Sequence, residues 1–305
     1  MHKVSIILPS YNHAKFLKDR LDSIINQTYT NWKLIIIDDC STDESLTFLN
    51  EFKKKHLDKI EKYIINNQNT GSGYNSWEKG IELANTEYIW VAETDDYSNP
   101  KFLEEQIILL EKNPTAALSF CASNYVDANK QFLYNTNNRT KDLNVLEDNY
   151  KAFVGDVFLD KMPFNTYITN GSCVVFRKPK TKIPKAIFTN KQSSDIFLWT
   201  YLLQKSSFVF LNKKLNFFRR HADSTTTRLS TLQQLDIFKE KIKYLHYFNI
   251  KNKENILIKK YFREYIWSNK RRIFNTKIFD FNLKVKYYLQ LIPNIFSQLI
   301  KYNNG

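Results

Sequence analysis

Tyr88-Ile89-Trp90-Val91-Ala92-Glu93-Thr94-Asp95-Asp96-Tyr97 runs five mostly apolar residues straight into three carboxylates within four positions. The apolar run reads as a strand buried on both faces, the kind found inside a parallel sheet. The acids then stand where that strand ends, and open α/β sheets take their ligands beyond the carboxyl ends of strands. Two like charges about 4 Å apart repel by roughly 4 kcal/mol at an effective dielectric near 20. A cluster this dense calls for a cation, and oxygen ligands suit Mg²⁺ or Mn²⁺. The bland alternative is that Asp95 and Asp96 cap the next helix. Asn99 and Pro100 already supply a cap and a first helical residue for 101–112, so the acids are left for a ligand.

The segments before this strand repeat the same logic. Val4–Leu8 is a strand, Pro9-Ser10-Tyr11-Asn12 a turn, and Asn12 the expected cap of a helix over 14–27 with Leu17, Leu21, Ile24 and Ile25 on one face. Trp32–Ile37 is a second strand ending in Asp38-Asp39. Ser41-Thr42-Asp43-Glu44 reads as a capping box for a helix to about Lys55, which leaves the acidic pair free. Ile60–Ile65 is a third strand, followed by a polar loop over 66–74 and a helix over 75–84. Strands alternating with helices predict a doubly wound, mostly parallel sheet through about residue 125. Further on, 116–121 and 173–177 read as strands, 142–161 as a polar, helix-leaning insertion, 194–203 as an amphipathic helix, 208–218 as a strand pair around Asn212-Lys213-Lys214, and 230–248 as a helix.

The 305 residues carry 43% hydrophobic and 15% aromatic side chains, a globular composition with room for one large domain and an appendage. Cys40, Cys121 and Cys173 are odd in number and form no CxxC, which predicts neither a disulfide framework nor a zinc site and fits a reducing cytoplasm. No signal peptide or bilayer-length apolar run is read. The net charge of +14 is concentrated at the end: residues 251–305 hold twelve Lys/Arg against three acids, a net of +9.

Three stretches, Val4-Ser5-Ile6-Ile7-Leu8-Pro9-Ser10-Tyr11-Asn12, Ile36-Ile37-Asp38-Asp39-Cys40-Ser41-Thr42-Asp43 and Ala92-Glu93-Thr94-Asp95-Asp96-Tyr97, follow in this order and spacing. Together they resemble the N-terminal half of family 2 glycosyltransferases, which have the GT-A fold. The likeness continues more weakly through Trp77-Glu78-Lys79-Gly80, Asn170–Arg177, Asp195 and Arg219-Arg220-His221, covering about 3–228. It implies a GT-A domain over 1–228, with a nucleotide-binding half over 1–125 and an acceptor-binding half over 126–228. The remaining 229–305 is expected to form a basic, aromatic helical appendage.

The resemblance also implies roles. Pro9, Tyr11 and Asn12 would surround the base or ribose, with Asp38 beside them. Asp39 would accept from a base N3–H, which uracil and thymine offer, though a turn aspartate bonding its own backbone is the competing reading. Glu93-Thr94-Asp95 resembles the family's D-x-D signature with Glu in the first place. Asp95 is then assigned to Mn²⁺ or Mg²⁺, Glu93 to the ribose or a water, Thr94 to the bound nucleotide, and Asp96 to the metal or sugar hydroxyls. Asp195 matches the family's base at a helix start, against the alternative of a first-turn acid favoured by the helix dipole with Ser194 as cap. His221 is expected at the metal and Arg219 at phosphate oxygens, with Lys79 and Arg177 as weaker diphosphate candidates.

The expected activity is metal-dependent, inverting transfer of a sugar from a nucleoside-diphosphate donor, most simply a UDP-sugar, to a hydroxyl of a glycan or polyprenyl-diphosphate-linked acceptor in bacterial surface polysaccharide synthesis. Its rivals are transfer to a polyprenyl phosphate, which needs no base, and sugar-nucleotide binding without catalysis. A nucleotidyltransferase is disfavoured because Pro9–His13 lacks the glycine-rich loop. The basic, aromatic residues of 251–305 either pack on the domain or meet an anionic membrane surface from the cytoplasmic side, and nucleic acid is not expected as a partner.

Overall fold

The structure, a computed structural model, describes residues 3–221 and 231–261. It divides into two compact units, 1–224 and 225–305. In the first, β1 (Val4–Ser10), α1 (Ala14–Ile25), β2 (Trp32–Asp38), α2 (Ser45–Lys55), β3 (Ile60–Ile65), α3 (Gly73–Leu83) and β4 (Tyr88–Val91) alternate strand with helix as the periodicity predicts. All three neighbour pairs among these strands are parallel. β1, β2 and β4 are buried almost throughout and mostly apolar, as strands inside a parallel sheet are.

The chain continues through β5 (Tyr97–Ser98), α4 (Phe102–Lys112), β6 (Ala116–Asp127), β7 (Phe132–Asn135), α5 (Asn137–Thr140), β8 (Tyr150–Val154), β9 (Val174–Arg177), α6 (Ser194–Leu203) and β10 (Ser207–Arg220). The described strands form one sheet in the order β3-β2-β1-β4-β9-β6-β10-β5, with β7 also on β6 and β8 on β10. β9 runs antiparallel between β4 and β6, so the parallel N-terminal half passes into a mixed second half without a break in the sheet. β1 has β2 on one side and β4 on the other, which makes the crevice beyond their carboxyl ends a topological switch point.

Two close approaches fix this layering. A Cβ on Gly80 of α3 would lie 2.4 Å from Ile7 Cγ2 of β1, and one on Gly171 would lie 2.6 Å from the Trp77 indole. Glycine at these points lets helix and turn backbone press directly onto neighbouring side chains.

Several local expectations are corrected. Residues 208–218 do not turn back at Asn212-Lys213-Lys214: β10 is one strand whose register slips between Leu211 and Lys214 against β6. The bulge keeps both ends useful, since 207–211 pairs with β8 and 216–217 with β5. Within 142–161 the helical lean yields to edge pairing, and Tyr150–Val154 becomes β8. α4 begins at Phe102, with Asn99 Oδ1 accepting from the Lys101 N–H at 2.9 Å.

In the second unit α7 (Thr231–Tyr247) and α8 (Glu254–Tyr261) are helical, and His246 hydrogen-bonds Glu254 between them. The tail residues singled out for membrane contact from 262 onward lie outside the described residues. Among the described residues, no helix is long and apolar enough to cross a membrane.

Candidate active site

The site is built at the carboxyl ends of β1, β2 and β4. Asn12 adopts a left-handed φ of +52° in the turn after β1. Its side-chain oxygen accepts from the Thr42 N–H at 2.7 Å, and its own N–H donates to Ser41 Oγ at 3.0 Å. Asp43 accepts from the Ala14 N–H at 3.0 Å and the Ser45 N–H at 2.9 Å, and the His13 N–H donates to Ser45 Oγ at 3.2 Å. The turns after β1 and β2 are thus sewn together and present His13 rigidly. Asn12 is a clamp between turns and not the cap of α1, whose cap position is His13. The expected capping box is likewise absent, because α2 starts at Ser45 under Asp43.

Asp38 is not free for a ligand. It is fully buried, accepting from the Ser41 N–H at 2.8 Å and the Ser41 hydroxyl at 2.7 Å. Asp39 accepts from Asn66 Nδ2 at 2.7 Å and from the Thr70 N–H and hydroxyl at 3.0 and 2.8 Å. Its carboxylate organises the loop after β3. Lys79 Nζ donates to Asn66 Oδ1 at 2.9 Å, so Lys79 supports this corner instead of standing clear for a diphosphate. Pro9 is half-buried at the end of β1, and Tyr11 beside it is 44% exposed, its ring open at the mouth of the crevice.

The acidic stretch after β4 divides by environment. Asp95 faces His221, whose Nε2 lies 3.2 Å from a carboxylate oxygen. A ring nitrogen of His13, a ring nitrogen of His221 and a carboxylate oxygen of Asp95 all lie within 4.8 Å of one another, a group that could hold a metal ion. Burial works to raise the Asp95 pKa, but the His221 hydrogen bond and the charges of His13 and His221 prevail and hold it below the usual range. Burial lowers the His13 pKa and so favours the neutral ring, the form that binds metals. Thr94, expected at the nucleotide, is 2% exposed and its hydroxyl lies 2.6 Å from His13 Nδ1, orienting that ring.

Asp96 turns the other way. It is fully buried, accepts from the Arg219 N–H at 3.0 Å and from Asn170 Nδ2, and lies 3.9 Å from Arg20 Nη2. Burial, then the charge of Asp95, pushes its pKa up to about 7. Asp96 therefore belongs to the frame behind the site and not to the His13, Asp95 and His221 group that could hold a metal ion. Arg219 is corrected similarly: its guanidinium is 1% exposed, packs over Phe16 and Tyr97, and pairs with Asp19 at 2.8 Å. Arg177 lies at the opposite end of β4, bonding Glu87, Tyr88 and the Ala116 and Leu110 carbonyls.

Asp195 stands in the first turn of α6, whose cap position is Ser193 and not Ser194. Tyr74 Oη donates to Asp195 Oδ1 at 3.3 Å. The Glu93 pKa is raised well above the usual range by burial first, then by the charges of Asp96, Asp95 and Asp195. The fold thus brings Asp195 from residue 195 into the field of the acids at 93–96, the congestion a bound cation relieves.

Three contributors escaped the sequence reading. His13 adjoins the first motif but is a lone histidine in a turn. Arg20 occupies a core position of the α1 face with Phe16, Leu17, Leu21 and Ile24, and a charge among such residues was the available signal. Ser172 accepts from Arg20 Nη2 at 2.9 Å and from the Glu93 N–H at 3.1 Å, a role its sequence gives no hint of.

The model of glycosyl transferase family 2 matches residues 5–178. An uncharacterized glycosyltransferase of Haemophilus influenzae is 39% identical over 110 residues, 36% of this chain and 33% of that protein. The putative teichuronic acid biosynthesis glycosyltransferase TuaG of Bacillus subtilis is 31% identical over 118 residues, 38% of this chain and 45% of that protein. The match thus spans less than half of these relatives' length. Among solved structures, residues 1–349 of S. aureus TarS in complex with UDP-GlcNAc superpose with a TM-score of 0.58 at 15% identity, over 95% of this chain and 79% of that one. A mannosyltransferase of Pyrobaculum calidifontis in complex with GDP-Man and Mn²⁺ gives 0.55 at 14% identity, over 85% and 69%. At these identities the structural likeness speaks for the fold.

Proposed function

The chain belongs to glycosyl transferase family 2, and we propose that it transfers one sugar from a UDP-sugar to a hydroxyl of a glycan or lipid-linked glycan, inverting the anomeric carbon. Two observations carry this reading: Asp95 pairs with His221 just after β4, and Asp195, held by Tyr74, comes near enough to the same acidic turn for its charge to act on Glu93. One group suits a diphosphate-bound cation, and the other suits a base.

The residues divide the work as follows. Tyr11 and Pro9 flank the base, and Asp39 accepts its N3–H in place of the Thr70 hydroxyl. This favours uracil or thymine nucleotides, in line with the UDP-GlcNAc complex of the structural neighbour. Asp95 and His221 supply the carboxylate and imidazole donors for Mn²⁺ or Mg²⁺, which when bound neutralises charge growing on the departing diphosphate. Asp195 takes the acceptor hydroxyl's proton as its oxygen attacks the anomeric carbon and the bond to the diphosphate breaks. Tyr74 fixes the carboxylate's orientation. Glu93 meets the ribose or a water.

Residues 126–228 then form the acceptor side, and the basic 251–305 segment brings the protein to an anionic cytoplasmic membrane face where a lipid-linked acceptor resides. Asp195→Asn is expected to reduce transfer by at least about 100-fold while UDP binding with Mn²⁺ survives. Near-normal turnover would remove Asp195 from the mechanism. Asp95→Asn should weaken Mn²⁺-dependent UDP binding, measured by calorimetry, and unchanged affinity would overturn its metal role.

A further inference from the structure

We infer that His13 is a third protein ligand to the cation, and that the resulting two-imidazole, one-carboxylate set makes the site select transition-metal ions over Mg²⁺. This rests on the reading of Asp95 and His221 as a cation site and adds to it both a ligand and an ion preference.

The placement of His13 is the first support. Its ring joins those of His221 and Asp95 with all three candidate donor atoms within 4.8 Å. Donors about 2.1 Å from one ion stand at most about 4.2 Å apart, so the group closes by a few tenths of an ångström to bind. The two imidazoles meet edge to face with centroids 5.9 Å apart, and Phe16 covers the His221 ring at 4.5 Å.

The second support is how firmly His13 is held. Its N–H bonds Ser45 Oγ, the preceding Asn12 is locked to Thr42, and the following Ala14 N–H bonds Asp43. The ring is oriented by Thr94, the residue before Asp95, at 2.6 Å. The tautomer that donates Nδ1–H to Thr94 keeps a lone pair on Nε2. A ligating histidine whose second nitrogen is engaged in this way is the usual arrangement around protein-bound metals. A packing-only histidine would need none of these restraints.

The chemistry of the set gives the preference. Mg²⁺ takes oxygen ligands and dehydrates reluctantly. Imidazole nitrogen favours first-row transition ions, and affinity rises from Mn²⁺ to Cu²⁺. Asp96, a second oxygen ligand in the sequence reading, is withdrawn behind the site by Asn170 and the Arg219 N–H, which leaves nitrogen in the majority.

The test uses the full chain with UDP and measures Mn²⁺ binding by the loss of the free-ion EPR signal, with Mg²⁺ as competitor. Electron spin-echo spectra of the bound Mn²⁺ count coupled imidazole nitrogens. Wild type is expected to show two imidazoles and to hold Mn²⁺ at least about tenfold tighter than Mg²⁺. His13→Phe keeps a ring for packing and should lose one nitrogen coupling and at least about tenfold in Mn²⁺ affinity, with little change for Mg²⁺. His13→Gln serves as the second variant should the phenylalanine misfold, and the wild-type nitrogen count needs no variant. A single imidazole, equal affinities for the two ions, or variants that bind like wild type would overturn the inference. If Asp95→Asn still abolishes binding in those cases, the cation site itself stands. Absence of any Mn²⁺ binding by wild type with UDP would overturn the inference and the proposed metal dependence together.

Discussion

Replacing Arg20 by leucine would strip the support from beneath the acidic turn. Arg20 has no exposed surface. Its Nε donates to the Glu93 carbonyl at 2.7 Å, Nη1 to Ser98 Oγ at 3.1 Å and Nη2 to Ser172 Oγ at 2.9 Å, and Nη2 stands 3.9 Å from Asp96. Burial lowers its pKa to about 10, so it is charged at neutrality. Leucine fills part of the volume but leaves three acceptors and one buried carboxylate behind. Hydrogen bonds of this kind are each worth about 1 kcal/mol net. At pH 8, above the Asp96 pKa of about 7, orphaning the buried carboxylate raises the total to about 3–5 kcal/mol, a large part of a typical stability of about 5–15 kcal/mol. At about 2–4 °C per kcal/mol for a domain of this size, the melting temperature should drop by about 6–20 °C. Urea and thermal unfolding followed by circular dichroism on metal-free protein would measure this. Adding Asp96→Asn removes the orphaned charge, so the double variant should recover about 0.5–3 kcal/mol relative to additivity. A loss below about 1 kcal/mol for the single variant, or strict additivity, would refute the view that this guanidinium holds the turn.

Gly171→Ala places a Cβ 2.6 Å from two atoms of the buried Trp77 ring and should destabilise by about 1–3 kcal/mol. Combining it with Trp77→Phe should be less damaging than the sum of the two, and additive unfolding energies would contradict the clash. Metal-free protein should lose stability as pH rises from about 4 to 7, because folded Asp96 keeps its proton to about 7 while the unfolded carboxyl releases it near 3.8. Asp96→Asn should flatten that part of a stability-against-pH curve, and an unchanged slope would assign the effect elsewhere. Charge reversal of Lys270, Arg271 and Arg272 to glutamate should lower co-sedimentation with phosphatidylglycerol vesicles and leave neutral vesicles unaffected. Equal sedimentation with the anionic vesicles would remove this cluster from membrane contact.

Apolar periodicity and chain order by themselves determined the parallel N-terminal half. Buried strands such as Leu34–Ile37 and Ile89–Val91 must be apolar on both faces, and the helices between them must carry one apolar stripe, so both signals are local. The same reading marked where ligands gather, because acids at the ends of such strands have nothing in the core to bond. The roles within that cluster were not legible. Asp95 and Asp96 are neighbours of one type, yet opposite side-chain directions send one to His221 and the other to Asn170 and Arg20. The partners that decide this lie 74 to 126 residues away. Asp38 and Asp39 divide in the same manner, Asp38 caught by Ser41 within its own turn and Asp39 by a loop 27 to 31 residues on. β8 and the bulged β10 were misread because edge pairing, a property of two distant segments, overrode local helix and turn preference. Local physics fixes which elements form in the parallel N-terminal half. Only the assembled fold decides which of two adjacent carboxylates meets His221 and which is buried behind it, since burial and hydrogen-bond satisfaction are settled by residues far apart in the chain.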